Sequence, residues 1–121
     1  MNPKANTKKT DLSLVSSVAL LHLGEAMMDG ANKYGPYNWR STGASARVYV
    51  AAAMRHLGCW LDGQENAQDS GVHNLAGVMA CCAILLDAQS LGVMEDDRPS
   101  PGAAAQWQTV LSELRKTKGK K

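Results

Sequence analysis

The sequence predicts an all-α domain with four helices in a bundle-like arrangement, on the evidence of its composition and the spacing of its apolar residues. Ala, Leu, Val and Met are plentiful and Phe is absent, a composition that favours helices over sheets. Apolar residues recur at intervals of three and four, and no segment alternates apolar and polar residues as a half-buried strand does. A chain of 121 residues, 45% of them hydrophobic, suffices for one packed domain.

Caps, breakers and turn residues locate the predicted elements. Asp11 or Ser13 can cap the first helix, and Gly30 followed by Gly35-Pro36 can end it. The four helices are expected at about residues 11–30, 44–62, 73–91 and 103–116, separated by an ordered loop, a polar turn and a linker. The domain plan is a flexible basic arm over residues 1–10, one helical domain over residues 11–117 and a basic tail over residues 118–121.

Three of the four helices have apolar residues along one face, and these are the expected core positions. They are Leu14, Val18, Leu21 and Met28 on the first helix, Val50, Met54, Leu57 and Leu61 on the second, and Val110, Leu111 and Leu114 on the fourth. The third helix is apolar on nearly every side and should be central. Because a short chain has few other elements to cover it, we expect a homodimer or homotetramer with sites near the subunit contacts.

Charge is divided between the body of the chain and its ends. Residues 11–114 contain five basic and all eleven acidic residues, a net charge of −6, and the other eight basic residues lie within 4–9 and 115–121. Strongly basic domains suit nucleic acid. The acidic body therefore favours divalent cations over a phosphate backbone as its partner.

Hydropathy and cysteine usage predict a cytoplasmic protein with no membrane partner. No apolar stretch reaches the roughly 18 residues that cross a bilayer, and the polar N-terminal segment lacks the apolar run of a signal peptide. The three cysteines include the adjacent Cys81 and Cys82 within an apolar run. Such an arrangement is typical of reduced thiols and not of a disulfide framework.

Carboxylates on the first helix and in the polar turn are the candidate metal ligands. Glu25 falls within the apolar stripe of the first helix, where an ionised side chain needs a cation or hydrogen bonds, and Asp29 lies one turn further on. The polar turn adds Asp62, Glu65 and Asp69 within eight residues. Mg²⁺ prefers oxygen ligands of this kind. A Glu25 that reaches solvent and a merely solvated acidic turn are the alternatives.

The second helix has an aromatic side as well as its apolar stripe, formed by Tyr49, Ala53, His56 and Trp60. Ordinary packing is the alternative interpretation of this side. Arg55 and Asp62 lie on other parts of the helix surface. Because little of that surface is freely polar, both should find buried partners, and they can pair with each other.

Several motifs occur in a fixed order along the chain. They are Lys9-Thr-Asp11-Leu-Ser-Leu-Val15, Gly30-Ala-Asn-Lys33-Tyr34-Gly35-Pro-Tyr-Asn38-Trp39-Arg40, Arg55-His56 with Trp60, Gly63-Gln-Glu65, and Asp69-Ser70-Gly71. Over about residues 9–88 this string resembles the phage and bacterial dATP/dGTP diphosphohydrolase family, the MazZ-like branch of the all-α MazG-type nucleotide pyrophosphohydrolases. The stretch from Gly30 to Arg40 is its most specific part.

The resemblance implies a metal-dependent enzyme, active with Mg²⁺ or Mn²⁺, that cleaves dGTP or dATP into monophosphate and pyrophosphate. It implies an oligomeric helical bundle. On the matching positions it places Glu65 and Asp69 in the acidic turn, Lys33, Asn38, Trp39 and Arg40 in the loop, and Arg55 and His56 on the second helix. Together with the residue chemistry above, the expected catalytic residues are Glu25, Glu65 and Asp69, and the expected metal ligands are Glu25, Asp29, Asp62, Glu65 and Asp69. The expected substrate-binding residues are Lys33, Tyr34, Asn38, Trp39, Arg40, Arg55, His56 and Trp60.

The chemistry of several of these side chains suits contacts with a nucleotide. Lys33, Arg40 and Arg55 can hold phosphate oxygens. Trp39 or Trp60 can stack on the base, although a buried loop anchor is the alternative for Trp39, and Asn38 can bond the edge of the base. Many relatives carry His-Leu-x-His where this chain has Asn74-Leu-Ala-Gly77, a departure that alters the possible ligand set.

Two other function classes compete with the enzyme. A nucleic-acid accessory protein could grip phosphates with the basic ends of the chain, and it would show steep salt-dependent DNA binding without nucleotide turnover. A purely structural oligomerisation module would leave Glu25 unexplained. The acidic body makes nucleic acid the weaker partner, so the enzyme is the favoured interpretation.

Overall fold

A computed structural model describes residues 9–99, 102 and 104–119. Its helices are α1 (Ser17–Tyr34), α2 (Trp39–Thr42), α3 (Ala46–Leu61), α4 (Asn74–Ser90) and α5 (Trp107–Gly119), with 3-10 turns at Leu12–Leu14 and Ala104–Gln106 and strands β1 (Ala44–Ser45) and β2 (Met94–Glu95). The mostly helical structure confirms the all-α prediction. Residues 1–8 of the predicted arm and residues 120–121 of the predicted tail lie outside the described residues.

The first helix begins and ends later than predicted. Asp11 caps the short 3-10 turn instead, and Ser16 caps α1 by accepting a backbone N–H of its first turn. Gly30 does not end the helix, which continues to Tyr34. It ends at Gly35, whose φ of 91° is a conformation that glycine adopts without steric cost.

The central position of the third predicted helix is confirmed. α4 packs against α3 on one side and against α1 on the other. Small side chains let these helices approach closely, since Ala76 and Ala88 are fully buried on α4. α2 is one short turn inside the predicted loop, and the boundaries of α3 and α4 lie within two residues of those expected.

The predicted apolar stripes are not the core of a single chain, and this part of the prediction was wrong. The exposed residues include Leu14, Val18, Leu21 and Met28 before and on α1, Val50, Met54, Leu57 and Leu61 on α3, and Val110, Leu111 and Leu114 on α5. The more buried positions of α1 include Ala19, Leu23, Ala26 and Gly30, and those of α3 include Tyr49, Ala53 and His56. Packing on α4 thus selects the small and aromatic faces of the neighbouring helices.

A contact between distant segments joins the start of α3 to the chain after α4. β1 and β2 pair in parallel, with Ala44 opposite Met94. The Asp97 carboxylate accepts the hydroxyl hydrogen of Ser45 at 2.6 Å and the N–H of Arg47 at 2.9 Å, so it caps α3 from 50 residues away. Asp97 falls in the linker that the sequence predicts between the third and fourth helices, and the structure gives it this capping contact.

Within the described residues, none of the helices combines the length and the apolar content needed to cross a bilayer. All three cysteines are free thiols, which agrees with the expectation of reduced cysteines. Burial raises the pKa of the Cys81 thiol.

Candidate active site

A cavity of about 500 Å³ lies between α1, the loop that follows it, and α4. Apolar and aromatic side chains form most of its wall, among them Met27, Ala31, Tyr34, Trp39, Tyr49 and Ile84. The polar residues Asn38 and Asp87 also line it. A concave, mostly apolar pocket with a few polar groups is typical of a small-molecule site.

Asp87 anchors the loop to α4 beside this cavity. Its Oδ2 accepts the indole N–H of Trp39 at 2.7 Å, and its two oxygens accept the Nε–H and an Nη2–H of Arg40, both at 2.9 Å. The bonds from Arg40 and then from Trp39 lower the pKa of the Asp87 carboxyl. Sequence reasoning missed Asp87, although a single carboxylate on an otherwise apolar helix was a signal that it needs a partner.

Aromatic contacts hold the loop in a conformation that costs backbone energy. Tyr37 has a φ of 55°, which is rare for a bulky side chain. The guanidinium carbon of Arg40 lies 4.2 Å from the centre of the Tyr37 ring, and the rings of Tyr37 and Trp39 are 5.5 Å apart. Two of the five N–H groups of Arg40 are used by Asp87, so three remain for a ligand.

The contacts of Asp87 predict how stability depends on pH. The pKa of Asp87 is lower in the folded protein than its ordinary value of 3.8. The stability from these contacts is therefore complete above that ordinary value and is lost as the pH falls through the lower pKa of the folded state. Asp87→Asn should remove this part of the loss of stability at acid pH. Acid denaturation measured by tryptophan fluorescence checks this. Identical acid profiles for the two proteins would contradict the prediction.

One edge of α1 runs along the acidic turn. The Lys33 ammonium is 2.9 Å from an Asp29 carboxylate oxygen, and Asp29, with a smaller contribution from Asp69, raises the pKa of Lys33. Further up the helix, the ring of His22 packs edge-on against that of His73 at 5.1 Å. His73 Nε2 lies 3.1 Å from a Glu65 carboxylate oxygen. The structure thus brings α1 and the turn together on this side.

The predicted metal ligands do not form a closed cage in the part of the chain that the structure describes. Among the described residues, no three His, Cys, Asp or Glu side chains are placed to hold one ion. Mg²⁺ does not need such a cage, because it is often held by one or two carboxylates with water and substrate phosphates completing its shell. The exposed carboxylates of Glu65 and Asp69 fit that requirement.

Glu25 and Asp62 are placed differently from the expectation. Glu25 is exposed, so it is not an ion buried in an apolar seam. The reason is that the stripe it belongs to faces away from α4. Asp62 is the exposed C-cap of α3, and its backbone N–H donates to Gly58. Its carboxylate makes no salt bridge within the part of the chain that the structure describes.

The cavity and the acidic edge lie on different sides of α1. Successive residues of a helix are about 100° apart, which places Asp29 and Lys33 nearly opposite Met27 and Ala31 of the cavity wall. The two regions approach each other at the C-terminal end of the helix. There Lys33 and Tyr34, one on each side, are adjacent in the chain.

A comparison with known families adds to this geometry. The family model described as "dATP/dGTP diphosphohydrolase, N-terminal" matches residues 2–98. The chain belongs to the dATP/dGTP diphosphohydrolase family. The match includes the cavity and the acidic turn, and it ends before α5. No curated protein and no solved structure matches the chain.

Membership of the dATP/dGTP diphosphohydrolase family confirms the resemblance. The three residues of α3 that carry part of this resemblance differ in their surroundings. His56 is half-buried against α4, while Trp60 is 37% exposed. Arg55 is exposed and has no carboxylate partner among the described residues. The expected burial of Arg55 and Asp62, and their mutual ion pair, were therefore wrong. Both residues are exposed to solvent in this structure.

Proposed function

We propose that this protein is a metal-dependent pyrophosphohydrolase that converts dGTP or dATP to the monophosphate and pyrophosphate. The observation that carries the proposal is the family match across the cavity and the acidic turn. An aromatic, largely apolar cavity suits a nucleobase, and the carboxylates with Lys33 nearby suit a triphosphate that carries a divalent cation.

The nucleoside would occupy the cavity. Tyr34, which is 72% exposed, stands at the wall and is free to stack on a base. The side chain of Asn38 does not cap α2, so its amide is available to bond the edge of a base. Trp39 is 6% exposed and bound to Asp87, so it serves as a fixed wall. His56 and Trp60 on α3 remain candidate substrate contacts.

The triphosphate would extend toward the end of α1 and the turn. Lys33 and the three remaining N–H groups of Arg40 can donate to phosphate oxygens, and exposed Arg55 can do the same. Glu65 and Asp69 would hold Mg²⁺ or Mn²⁺, with Glu25, Asp29 and Asp62 as the further acidic candidates. The bound ion would neutralise charge that develops on the phosphates.

A second copy of the chain is the proposed cover for the exposed apolar stripes of α1 and α3. Side chains such as Leu21, Met28, Met54 and Leu61 are each at least 60% exposed, and a row of large exposed apolar side chains along a helix is typical of an interface. A dimer or tetramer would also add residues near the end of α1, where the cavity and the acidic edge approach. Light scattering should show an oligomer at micromolar concentration, and a stable, active monomer would contradict it.

Turnover of a nucleotide panel tests the proposed reaction. The eight common ribo- and deoxyribonucleoside triphosphates are incubated with Mg²⁺ or Mn²⁺, and the products are resolved as pyrophosphate or orthophosphate. We expect pyrophosphate from dGTP or dATP. Orthophosphate as the direct product, or no turnover with any nucleotide and metal, would refute the proposal. Salt-dependent DNA binding without turnover would instead support an accessory protein.

A further inference from the structure

The side chain of Asn74 is buried where α3, the acidic turn and the start of α4 meet. It is 2% exposed, and both ends of its amide are bonded. Its Nδ2 donates to the carbonyl oxygen of Gln64 at 2.9 Å, and its Oδ1 lies 3.0 Å from Nδ1 of His56. The backbone N–H of Asn74 also donates to the carbonyl of Glu65 at 2.8 Å. Asn74 therefore links His56 to the turn that carries the candidate carboxylates.

These contacts determine which nitrogen of His56 carries the proton. A backbone carbonyl can only accept, so the amide atom that meets Gln64 must be the NH₂ group. The Oδ1 atom, which can also only accept, then faces His56. Nδ1 of His56 must consequently be the N–H donor, and in the neutral ring Nε2 holds the free lone pair.

Gly77 provides the space for this arrangement. A Cβ atom at position 77 would lie 2.8 Å from Cδ2 and Cγ of the His56 ring and 2.9 Å from Nδ1, which is too close for any side chain. The ring thus packs directly on the backbone of α4, and its position is fixed. Within the described residues, Nε2 of His56 takes part in no hydrogen bond.

We propose that Asn74 is a positioning residue that fixes His56 in its Nδ1–H tautomer, so that Nε2 accepts the proton of the water that attacks the nucleotide. This step rests on the proposed function. The water oxygen bonds to the α-phosphorus, the bond from that phosphorus to the oxygen bridging to the β-phosphate breaks, and pyrophosphate leaves with the electron pair. The water proton passes to Nε2 and then to solvent. Position 74 thus acts through His56 and not as a ligand.

Nitrogen-15 NMR of histidine-labelled protein at pH 8 tests the tautomer without any turnover. Long-range proton–nitrogen correlations should show His56 protonated at Nδ1, and this pattern should become a mixture of tautomers in Asn74→Ala. Asn66→Ala, which changes an exposed Asn of the same turn, should leave the pattern intact. A wild-type His56 protonated at Nε2, or at both nitrogens, would overturn the proposal.

Two substitutions of His56 separate its structural bond from its free nitrogen. His56→Asn places an amide nitrogen near the position of Nδ1 and keeps a donor for Asn74, but it has no atom in place of Nε2. We expect its melting temperature to stay close to that of the wild type while kcat falls about 100-fold or more with little change in KM. His56→Gln, which reaches the Nε2 position without the Nδ1 donor, should lose stability as well.

The outcomes distinguish this inference from the proposed function. If His56→Asn is folded and keeps near-normal kcat, His56 is only structural and the inference is wrong, while the proposed function stands. If the wild type turns over no nucleotide, the proposed function and the role of Nε2 fail together. The NMR spectrum still decides the tautomer in that case. If His56→Asn does not fold, Asn74→Ala decides the matter, because a mixed tautomer with unchanged kcat would overturn the proposal.

Discussion

Glu65→Gln and Asp69→Asn are each expected to lower turnover about 100-fold or more while leaving the melting temperature in the absence of metal nearly unchanged. Both side chains are exposed, and each amide keeps the local contact of the acid it replaces. Asp69 accepts the N–H of Ser70 at 2.9 Å and Glu65 contacts His73, and an amide oxygen can still accept in both places. The changes therefore remove charge from the candidate metal ligands without disturbing the turn.

Glu95→Gln is the matched control for these substitutions. Glu95 is an exposed carboxylate on β2, away from the cavity lining and the acidic turn, so its neutralisation should leave turnover unchanged. The measurement pairs turnover at saturating Mg²⁺ with the melting temperature without metal. Near-normal turnover in both Glu65→Gln and Asp69→Asn would mean that the acidic turn is only a solvated loop.

Trp39→Ala is expected to lower the free energy of unfolding by about 3–5 kcal/mol, the usual cost of truncating a buried aromatic side chain. Trp39 is the large residue of a small buried cluster, and Met27, Tyr49 and Ile84 pack against that cluster. The substitution would leave a hole in this small core and would also remove the N–H that binds Asp87. Few other large side chains are buried in the described chain, so little can compensate.

Trp39→Phe is the companion variant, because it keeps an aromatic ring in the core and loses only the N–H donor and part of the volume. Its loss of stability should be clearly smaller than that of Trp39→Ala in urea unfolding followed by circular dichroism. A loss of less than about 1 kcal/mol in Trp39→Ala would show that the indole is not a core residue. Lost turnover in Trp39→Phe at unchanged stability would instead favour direct contact with the base.

Residues close to each helix were enough to predict that it exists. Packing between distant segments determined where the first helix ends and which faces are buried. α3 and α4 were placed within two residues because the loop before α3 and the polar turn before α4 are recognisable from neighbouring residue types. Gly30 was misjudged as a breaker. Helix propensity is a weak guide at one position when the helix is held by packing.

The choice of buried face was the larger failure. A helical stripe shows that a surface will be covered, but it does not show whether the same chain covers it. Leu21 and Leu57 belong to such stripes and are exposed here. α4 instead packs against helix faces rich in Ala and Gly. These residues contribute less than Leu and Met to an apolar stripe predicted from the sequence.

The candidate site was predictable in part. The acidic turn and the loop from Lys33 to Arg40 were recognisable from residue types and from the family motif. Asp87 was not, because its partners Trp39 and Arg40 are 48 and 47 positions away. The pairing of Asn74 with His56 likewise depends on how α3 and α4 meet, which no local pattern reveals.

The pairing of β1 with β2 and the Asp97 cap connect the two ends of the α3–α4 unit. The cavity wall on α4 is therefore held by more contacts than the wall on α1. Within residues 44–97, α3 cannot separate from α4 unless the β1–β2 pairing and the Asp97 hydrogen bonds also break. α1 has no such connection and is held by its packing on α4 and by the loop that Asp87 anchors. α1 is therefore the wall whose displacement would leave the paired strands and the Asp97 contacts unbroken.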